Sequence, residues 1–247
     1  MTIRQSTDAD LVDILDWLQR EAAEEGNTFH SNRGLIAKGH EAGELYVLET
    51  EAQLAAFALG APGVIDIFET RPGLRGKGYG RQLAQFCIDR AAAADMAVIE
   101  GECAPETSLP FWEAMGFEQI RPRYGDNPWV SLRVGKTNIL PPGAPVDVVV
   151  RTFSEQVLYS DGVAAIGTYR PTAVKAADGL IYLAKRIVLH EPNLANGRDL
   201  VIEIEVDGRC IARDKAKRAK LAAIGVRHDR FQQYYVDRID PAGDAED

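Results

Sequence analysis

The chain has 247 residues, of which 46% are hydrophobic and 26% are charged, and its formal net charge is −9. The length fits two domains better than one, and no apolar run approaches the roughly 20 residues that a membrane-spanning helix needs. The N-terminus lacks the apolar stretch of a signal peptide, so we expect a cytoplasmic protein with reduced thiols, and its three cysteines are too scattered for a disulfide framework or a zinc site.

The negative charge lies mainly in the first part of the chain. Residues 1–140 contain 13 Lys/Arg and 21 Asp/Glu, whereas residues 141–247 contain 15 and 16. An acidic first half favours a cationic substrate, such as an amine, over a polyanion. Acidic surfaces more commonly serve solubility, so this indication is secondary to the motifs.

Strands and helices alternate through the first 135 residues. Thr7, with Asp10 three residues later, resembles a capping box and precedes apolar residues at helical spacing. Further helices are expected over Arg33–His40, from the glycine-rich loop to about Ala94, and over Ser108–Met115. The expected strands after the first helix are Glu44–Thr50, Gln53–Gly60, Gly63–Thr70, Met96–Cys103, Phe117–Ile120 and Trp129–Val134.

The pattern changes after Gly135–Pro145, a Pro- and Gly-rich segment without periodicity that predicts a linker. We therefore predict domains over residues 1–140 and 141–247. The second is expected to be a smaller α+β domain with a mainly antiparallel sheet and one principal helix over Arg209–Ile224. Its expected strands are Asp147–Tyr159 and Gly162–Tyr169 as a hairpin, Gly179–Leu189, Asp199–Asp207 with one wet face, and one near Gln232–Arg238, before an acidic tail.

The most informative stretch is a glycine-rich loop between an expected strand and an expected helix. Its sequence is Arg75-Gly76-Lys77-Gly78-Tyr79-Gly80-Arg81. Glycines let the main chain approach a ligand closely, and the first N–H groups of a helix attract anions. The loop therefore predicts a phosphate site, although an ordinary strand-to-helix turn is the alternative. It lacks the Gly-Lys-Ser/Thr ending of a P-loop and the glycine spacing of a dinucleotide turn.

In a second motif, Pro105–Phe117, the aromatic residue Trp112 is followed by three residues and then by Gly116-Phe117. Together with the Arg-x-x-Gly-x-Gly spacing of the loop, residues 1–135 resemble the Gcn5-related N-acetyltransferases (GNAT family). The resemblance implies an α/β fold with a mixed, twisted sheet. It also implies acetyl-CoA as co-substrate, an amine acceptor and direct acetyl transfer.

The resemblance also assigns cofactor-binding residues. The pyrophosphate of coenzyme A is expected on the main chain of Arg75, Gly76, Lys77, Gly78, Tyr79 and Gly80, with Arg81 beside it. The pantetheine arm is expected on the strand end from Phe68 to Thr70.

Acetyl transfer needs a general base, and a carboxylate often serves. Glu100 is the first candidate, because its position twelve residues before Trp112 is similar to that of the base in enzymes that acetylate ribosomal-protein N-termini. Asp66 and Glu69, on the strand entering the loop, are the alternatives. Each could instead face solvent or pair with an arginine.

The general acid is missing from its expected place. Trp112 occupies the position where the family often has a tyrosine that protonates the leaving thiolate, and nothing in the sequence places Tyr79 or Tyr124 there. Water could serve as the acid, the acid could come from elsewhere, or the domain could bind acetyl-CoA as a regulator with little turnover. Cys103 is expected to be a structural thiol, and the four histidines lack metal-ligand spacing, so no metal is predicted.

The second half carries no motif from which we identify a family. Its basic stretch, Arg209–Arg230, predicts a helix that packs on a sheet with a solvated outer face, or else a surface for nucleic acid or an acidic partner. Residues 141–247 are expected to shape the acceptor site or a homodimer interface.

Overall fold

A computed structural model describes residues 1–25, 29–192, 194 and 199–242. The chain divides into two compact units. Unit 1 comprises Met1–Ala94 and Ile99–Leu132, and unit 2 comprises Asp95–Val98 and Arg133–Asp247. The acidic tail predicted at the C-terminus lies, beyond Ala242, outside the described residues.

Unit 1 contains two four-stranded sheets with helices packed against them. Its elements are β1 (Thr2–Gln5), α1 (Asp8–Glu25), α2 (Arg33–Glu41), β2 (Leu45–Glu49), β3 (Leu54–Leu59), β4 (Val64–Ile65), β5 (Ile67–Thr70), α3 (Tyr79–Ala93), β6 (Val98–Glu102), α4 (Leu109–Ala114), β7 (Glu118–Ile120) and β8 (Trp129–Arg133). One sheet has the antiparallel order β1-β2-β3-β5, and the other has the order β4-β6-β8-β7 with a parallel β4–β6 pair. The predicted mixed sheet is thus two sheets that share one interrupted strand.

The start of α1 confirms the predicted capping box. The hydroxyl of Thr7 accepts from the N–H of Asp10 at 3.3 Å, and a carboxylate oxygen of Asp10 accepts from the N–H of Thr7 at 2.7 Å. Such a cap contributes about 1 kcal/mol. The apolar face of the helix packs on the first sheet, where Ile14, Leu18, Val47 and Phe57 are fully buried.

Unit 2 consists of two antiparallel sheets that share one hydrophobic core. Their orders are β11-β10-β14-β15 and β16-β17-β13-β12-β9. The elements are β9 (Gly143–Pro145), β10 (Val148–Phe153), β11 (Gly167–Tyr169), β12 (Ala173–Ala176), β13 (Ile181–Leu189), β14 (Val201–Val206), β15 (Arg209–Lys215), α5 (Ala219–Ala223), β16 (Val226–His228) and β17 (Tyr234–Ile239).

The prediction of one helix over Arg209–Ile224 is wrong. Arg209–Lys215 forms β15, which pairs with β14 through a tight turn in which Asp207 and Gly208 have φ values of 48° and 78°. Only Ala219–Ala223 is helical. The Asp-Gly pair between two strands was the sequence signal for this hairpin. The basic surface proposed for nucleic acid therefore lacks its helix.

Two finer predictions for unit 2 also need correction. The hairpin predicted around Ser160-Asp161-Gly162 corresponds to the antiparallel pair of β10 and β11. Its strands are shorter than predicted, because a 3₁₀ turn over Glu155–Leu158 and a longer connection separate them. The face of β14 predicted to be wet holds Glu203, which is only 3% exposed and paired with Arg151 and Arg213. This face of β14, which the alternating sequence pattern predicts to be exposed to solvent, is thus covered by ion pairs.

Candidate functional site

The chain changes sheet at Asp66. Before it, β4 pairs with β6, with Val64 opposite Glu100 and Ile65 opposite Gly101. After it, β5 pairs with β3, with Leu59 opposite Ile67 and Phe57 opposite Glu69. Both β4 and β5 are edge strands of their sheets. The two sheets of unit 1 therefore separate at Asp66 and leave a cleft beside β5.

The open edge of β5 presents main-chain groups to this cleft. The N–H of Arg71 donates to the carbonyl of Ala55 at 2.9 Å, across the β3–β5 pair. Because main-chain groups alternate in direction along a strand, those of Phe68 and Thr70 face away from β3. An extended ligand placed in the cleft can form hydrogen bonds with this edge, as an added strand would.

The glycine-rich loop that follows β5 has the geometry of an anion site. Gly76 and Gly78 have φ values of 77° and 85°, a backbone region that favours glycine. Gly78 precedes the first residue of α3, and no side chain caps that helix. The N–H groups of its first turn are therefore available to an anion, and the helix dipole favours negative charge there.

Arg75 anchors this loop to β5 and α1. Its Nη2 lies 3.1 Å from a carboxylate oxygen of Glu69 and 3.1 Å from one of Glu21, and its Nε donates to the carbonyl of Thr70 at 3.0 Å. The side chain of Arg75 is thus committed within the protein. In the part of the chain that the structure describes, Lys77 and Arg81 are exposed and form no ion pair, so they are the cations available to a phosphate.

The second motif packs directly on the first. The rings of Phe111 and Trp112, from α4, lie 5.8 Å and 5.0 Å from the ring of Phe68 on β5. A Cβ at Gly80 would lie 3.2 Å from the Thr70 hydroxyl and 3.6 Å from the Phe111 ring, so the start of α3 packs closely on both side chains. The two motifs, thirty residues apart in sequence, therefore meet at the end of β5.

The three predicted carboxylates have different surroundings. Glu100 forms a two-point contact with Arg123, at 2.7 Å and 3.3 Å. Glu69 is bound by Arg75, yet burial raises its pKa above the ordinary value. Asp66 is accessible to solvent and forms no ion pair with any described residue, and partial burial together with the charge of Glu44 raises its pKa. Asp66 directly follows β4, the strand that pairs with β6 and its Glu100, whereas Glu69 lies on β5 beside the loop.

The structure also locates the side chains considered for proton donation. Trp112 is 5% exposed within the aromatic cluster and carries no phenol. Tyr79 is half-buried at the start of α3, whereas Tyr124 lies on the loop between β7 and β8 with its ring 4.8 Å from that of Trp129. Cys103 is fully buried, and burial raises its pKa to about 11, which agrees with a structural thiol.

Within residues 1–25, 29–192, 194 and 199–242, no group of three or more His, Cys, Asp or Glu is arranged to hold a metal ion. The predicted lack of a metal stays a prediction. No helix in the same ranges is long and apolar enough to cross a membrane.

Residues 14–130 match the family model of the acetyltransferase (GNAT) domain. No curated protein matches the chain in sequence. The ribosomal-protein-alanine N-acetyltransferase of Brucella melitensis is 20% identical, with 54% of this chain and 99% of that chain covered and a TM-score of 0.42. The yncA protein of Salmonella typhimurium, solved with its cofactor acetyl-CoA, is 20% identical over 57% and 98%, with a TM-score of 0.42. A GNAT-family acetyltransferase of Listeria monocytogenes is 17% identical over 53% and 94%, with a TM-score of 0.44.

Proposed function

From the GNAT acetyltransferase domain that residues 14–130 form, we propose that this protein is an N-acetyltransferase that moves an acetyl group from acetyl-CoA to a primary amine. The observation that carries the proposal is the separation of β4 from β5 at Asp66, next to a loop built for an anion. An open strand edge that leads into a phosphate site suits a ligand with a pyrophosphate at one end and an extended arm. We assign the reaction to unit 1 and to the cytoplasm.

In this proposal coenzyme A lies along β5. The pyrophosphate binds the main chain from Arg75 to Gly80, with Lys77 and Arg81 adding charge at the surface. The pantetheine arm forms hydrogen bonds with the main chain of Phe68 and with the carbonyl oxygen of Thr70, which can accept a second bond beside the one from Arg75. An arm that runs back along β5 from the loop ends near Ile67, about 10 Å from Thr70 at the rise of a strand. This arrangement places the thioester beside Asp66.

Asp66 is the general base that the geometry favours. It lies where the strands separate, it is accessible, and its pKa is raised above the ordinary 3.8. A base whose pKa is closer to the working pH accepts a proton more effectively from an ammonium group. Glu100 remains the second candidate, because Arg123 already donates to both of its carboxylate oxygens. Glu69 is third, because Arg75 and the N–H of Thr70 already donate to it.

The bond changes require no covalent enzyme intermediate. The amine nitrogen attacks the carbonyl carbon of the thioester, a C–N bond forms, and the C–S bond breaks with its electron pair going to sulfur. The proton lost by the amine goes to the carboxylate and then to water. The sulfur leaves as a thiol once it is protonated.

The competing function is an acetyl-CoA-binding regulator with little turnover. Trp112 favours it, because a buried indole cannot protonate sulfur. Both functions are tested by calorimetric titration with coenzyme A and by thiol release from acetyl-CoA in the presence of a panel of amines and peptides. Binding with thiol release supports the enzyme, binding without release supports the regulator, and no binding contradicts both.

The roles expected for residues 141–247 stay predictions. Gel filtration of the full chain tests the predicted homodimer. A mobility of one chain of 27.1 kDa would contradict it.

A further inference from the structure

The loop between β7 and β8, residues 121–128, is fastened to β6. Arg123 pairs with Glu100, and the amide nitrogen of Asn127 donates to Glu102 at 2.6 Å. The ring of Tyr124 stands edge-on against Trp129, the first residue of β8, at an interplanar angle of 77°. These contacts hold the loop on the face of β6 that carries Glu100 and Glu102.

The same face carries Asp66. Val64 is opposite Glu100 and Ile65 is opposite Gly101, and Asp66 directly follows this pair, where the strands separate. Because side chains alternate between faces, Asp66 lies on the side of Glu100 and Glu102. The phenol of Tyr124 interacts electrostatically with both Glu102 and Asp66. Together with the fastening of its loop to Glu100 and Glu102, this interaction puts Tyr124 near the point of strand separation.

We infer that Tyr124 is the acid that protonates the sulfur of coenzyme A as it leaves. This inference rests on the proposed function, which places the thioester beside Asp66. As the C–S bond breaks, the phenol O–H gives its proton to sulfur and the phenolate recovers a proton from water. Partial burial and the nearby carboxylates of Glu102 and Asp66 raise the pKa of Tyr124, so the phenol holds its proton at neutral pH.

The other candidate donors in unit 1 lie elsewhere. Tyr79 is at the loop end of β5, next to the pyrophosphate site. The ring of Tyr46 packs on Phe86 of α3, with Arg90 stacked on it. Cys103 belongs to the opposite face of β6, since it alternates with Glu102, and it is fully buried. Tyr124 is 65% exposed and free to approach a bound ligand.

The test compares Tyr124→Phe with Tyr159→Phe in the full chain. Phenylalanine keeps the ring contact with Trp129 and removes only the hydroxyl. Tyr159 is a suitable control because it is 75% exposed in unit 2, and its hydroxyl donates to Glu155 at 3.1 Å. Steady-state thiol release from acetyl-CoA with a saturating amine gives kcat and KM, and calorimetry gives the Kd of coenzyme A.

We expect Y124F to lower kcat about 100-fold, the lower end of what general acids contribute, with the Kd of coenzyme A unchanged. Imidazolium buffer, a small external acid, should raise the rate of Y124F in proportion to its concentration and leave the wild type unaffected. A purely structural role would not produce this rescue. An active wild type with an unchanged kcat in Y124F overturns the role of Tyr124 alone. A wild type that binds coenzyme A but acetylates no amine overturns the proposed function and the inference together.

Discussion

Arg123 holds both carboxylate oxygens of Glu100, with its Nη2 at 2.7 Å from one and its Nε at 3.3 Å from the other. Glu100 was the first candidate for the base on sequence grounds, and this pair gives it a competing role in fastening the loop of residues 121–128. Asp66, directly after β4, has no such partner among the described residues.

We predict that Asp66→Asn lowers kcat by about 100-fold or more, because it removes the base and keeps the shape of the side chain. The Kd of coenzyme A should stay the same. Glu100→Gln and Arg123→Gln are the comparison, measured singly and together. If Glu100 serves only as the partner of Arg123, the double variant should be no worse than either single one. A loss of kcat in Glu100→Gln that exceeds the loss in Asp66→Asn would return the base to Glu100.

The pH dependence of kcat/KM offers an independent check on Asp66. Its pKa is raised from the ordinary 3.8, and a base works only when deprotonated. Activity should therefore fall as the pH drops through an ionisation above 3.8. That limb should be absent from the profile of Asp66→Asn, whose residual rate should follow only the ionisation of the amine acceptor. An identical acid limb in both proteins would assign the ionisation to another group.

The glycine loop can be tested through its backbone. Gly78→Ala forces a side chain into a φ of 85°, which costs about 1–2 kcal/mol. We expect about tenfold weaker binding of coenzyme A by calorimetry. Gly162→Ala is the matched control, because Gly162 has a φ of 76° in unit 2 with open space around it. Equal binding by wild type and Gly78→Ala would remove the loop from the cofactor site.

Variants of Arg75 and of its neighbours Lys77 and Arg81 should have different effects on folding stability and on coenzyme A binding. Arg75→Gln leaves the carboxylates of Glu21 and Glu69 without their shared cation, and Glu21 has a side chain only 6% exposed. We expect a loss of about 1–3 kcal/mol in unfolding free energy, measured with urea. Lys77→Gln and Arg81→Gln should keep that stability and weaken coenzyme A binding several-fold, less so at high salt. Reversal of this pattern would make Arg75 the main phosphate contact.

Asp10 should make unit 1 sensitive to acid. Its hydrogen bonds and ion pair with Arg4 lower its pKa from 3.8 to about 2. A lowered pKa contributes stability that is present above the unfolded value and is lost as the pH falls through the folded value. Asp10→Asn should therefore cost about 2 kcal/mol at neutral pH and progressively less toward pH 2. A cost that is independent of pH would contradict the assignment.

The features that the sequence predicted well were local or carried by glycine. Thr7 and Asp10 cap α1 through neighbouring atoms, and Gly76 and Gly78 stand where positive φ values require them. The failure at Arg209–Ile224 has a physical cause. Ala212 and Ala216 fit the spacing of a helix, yet both serve as buried residues in and just after a strand. The Asp207-Gly208 turn favours the strand, because it joins β14 and β15 as a hairpin.

The long-range contacts of the site were beyond sequence reasoning. The pair of Arg123 with Glu100, the two carboxylates on Arg75 and the placement of Tyr124 near Asp66 each join residues from different elements. Nothing in the local pattern around Tyr124 indicates which strand its loop covers. The register of β4 against β6 supplied that information.

The central claim is direct transfer of an acetyl group to an amine at the point where β4 and β5 separate. The most direct measurement quantifies both products of one reaction, with free thiol measured by a colorimetric assay and acetylated amine by mass spectrometry. The account predicts one acetylated amine for each thiol released, no release without an amine, and loss of both products in Asp66→Asn. Thiol release without acetylated amine, or equal yields of both products from Asp66→Asn and wild type, would contradict it.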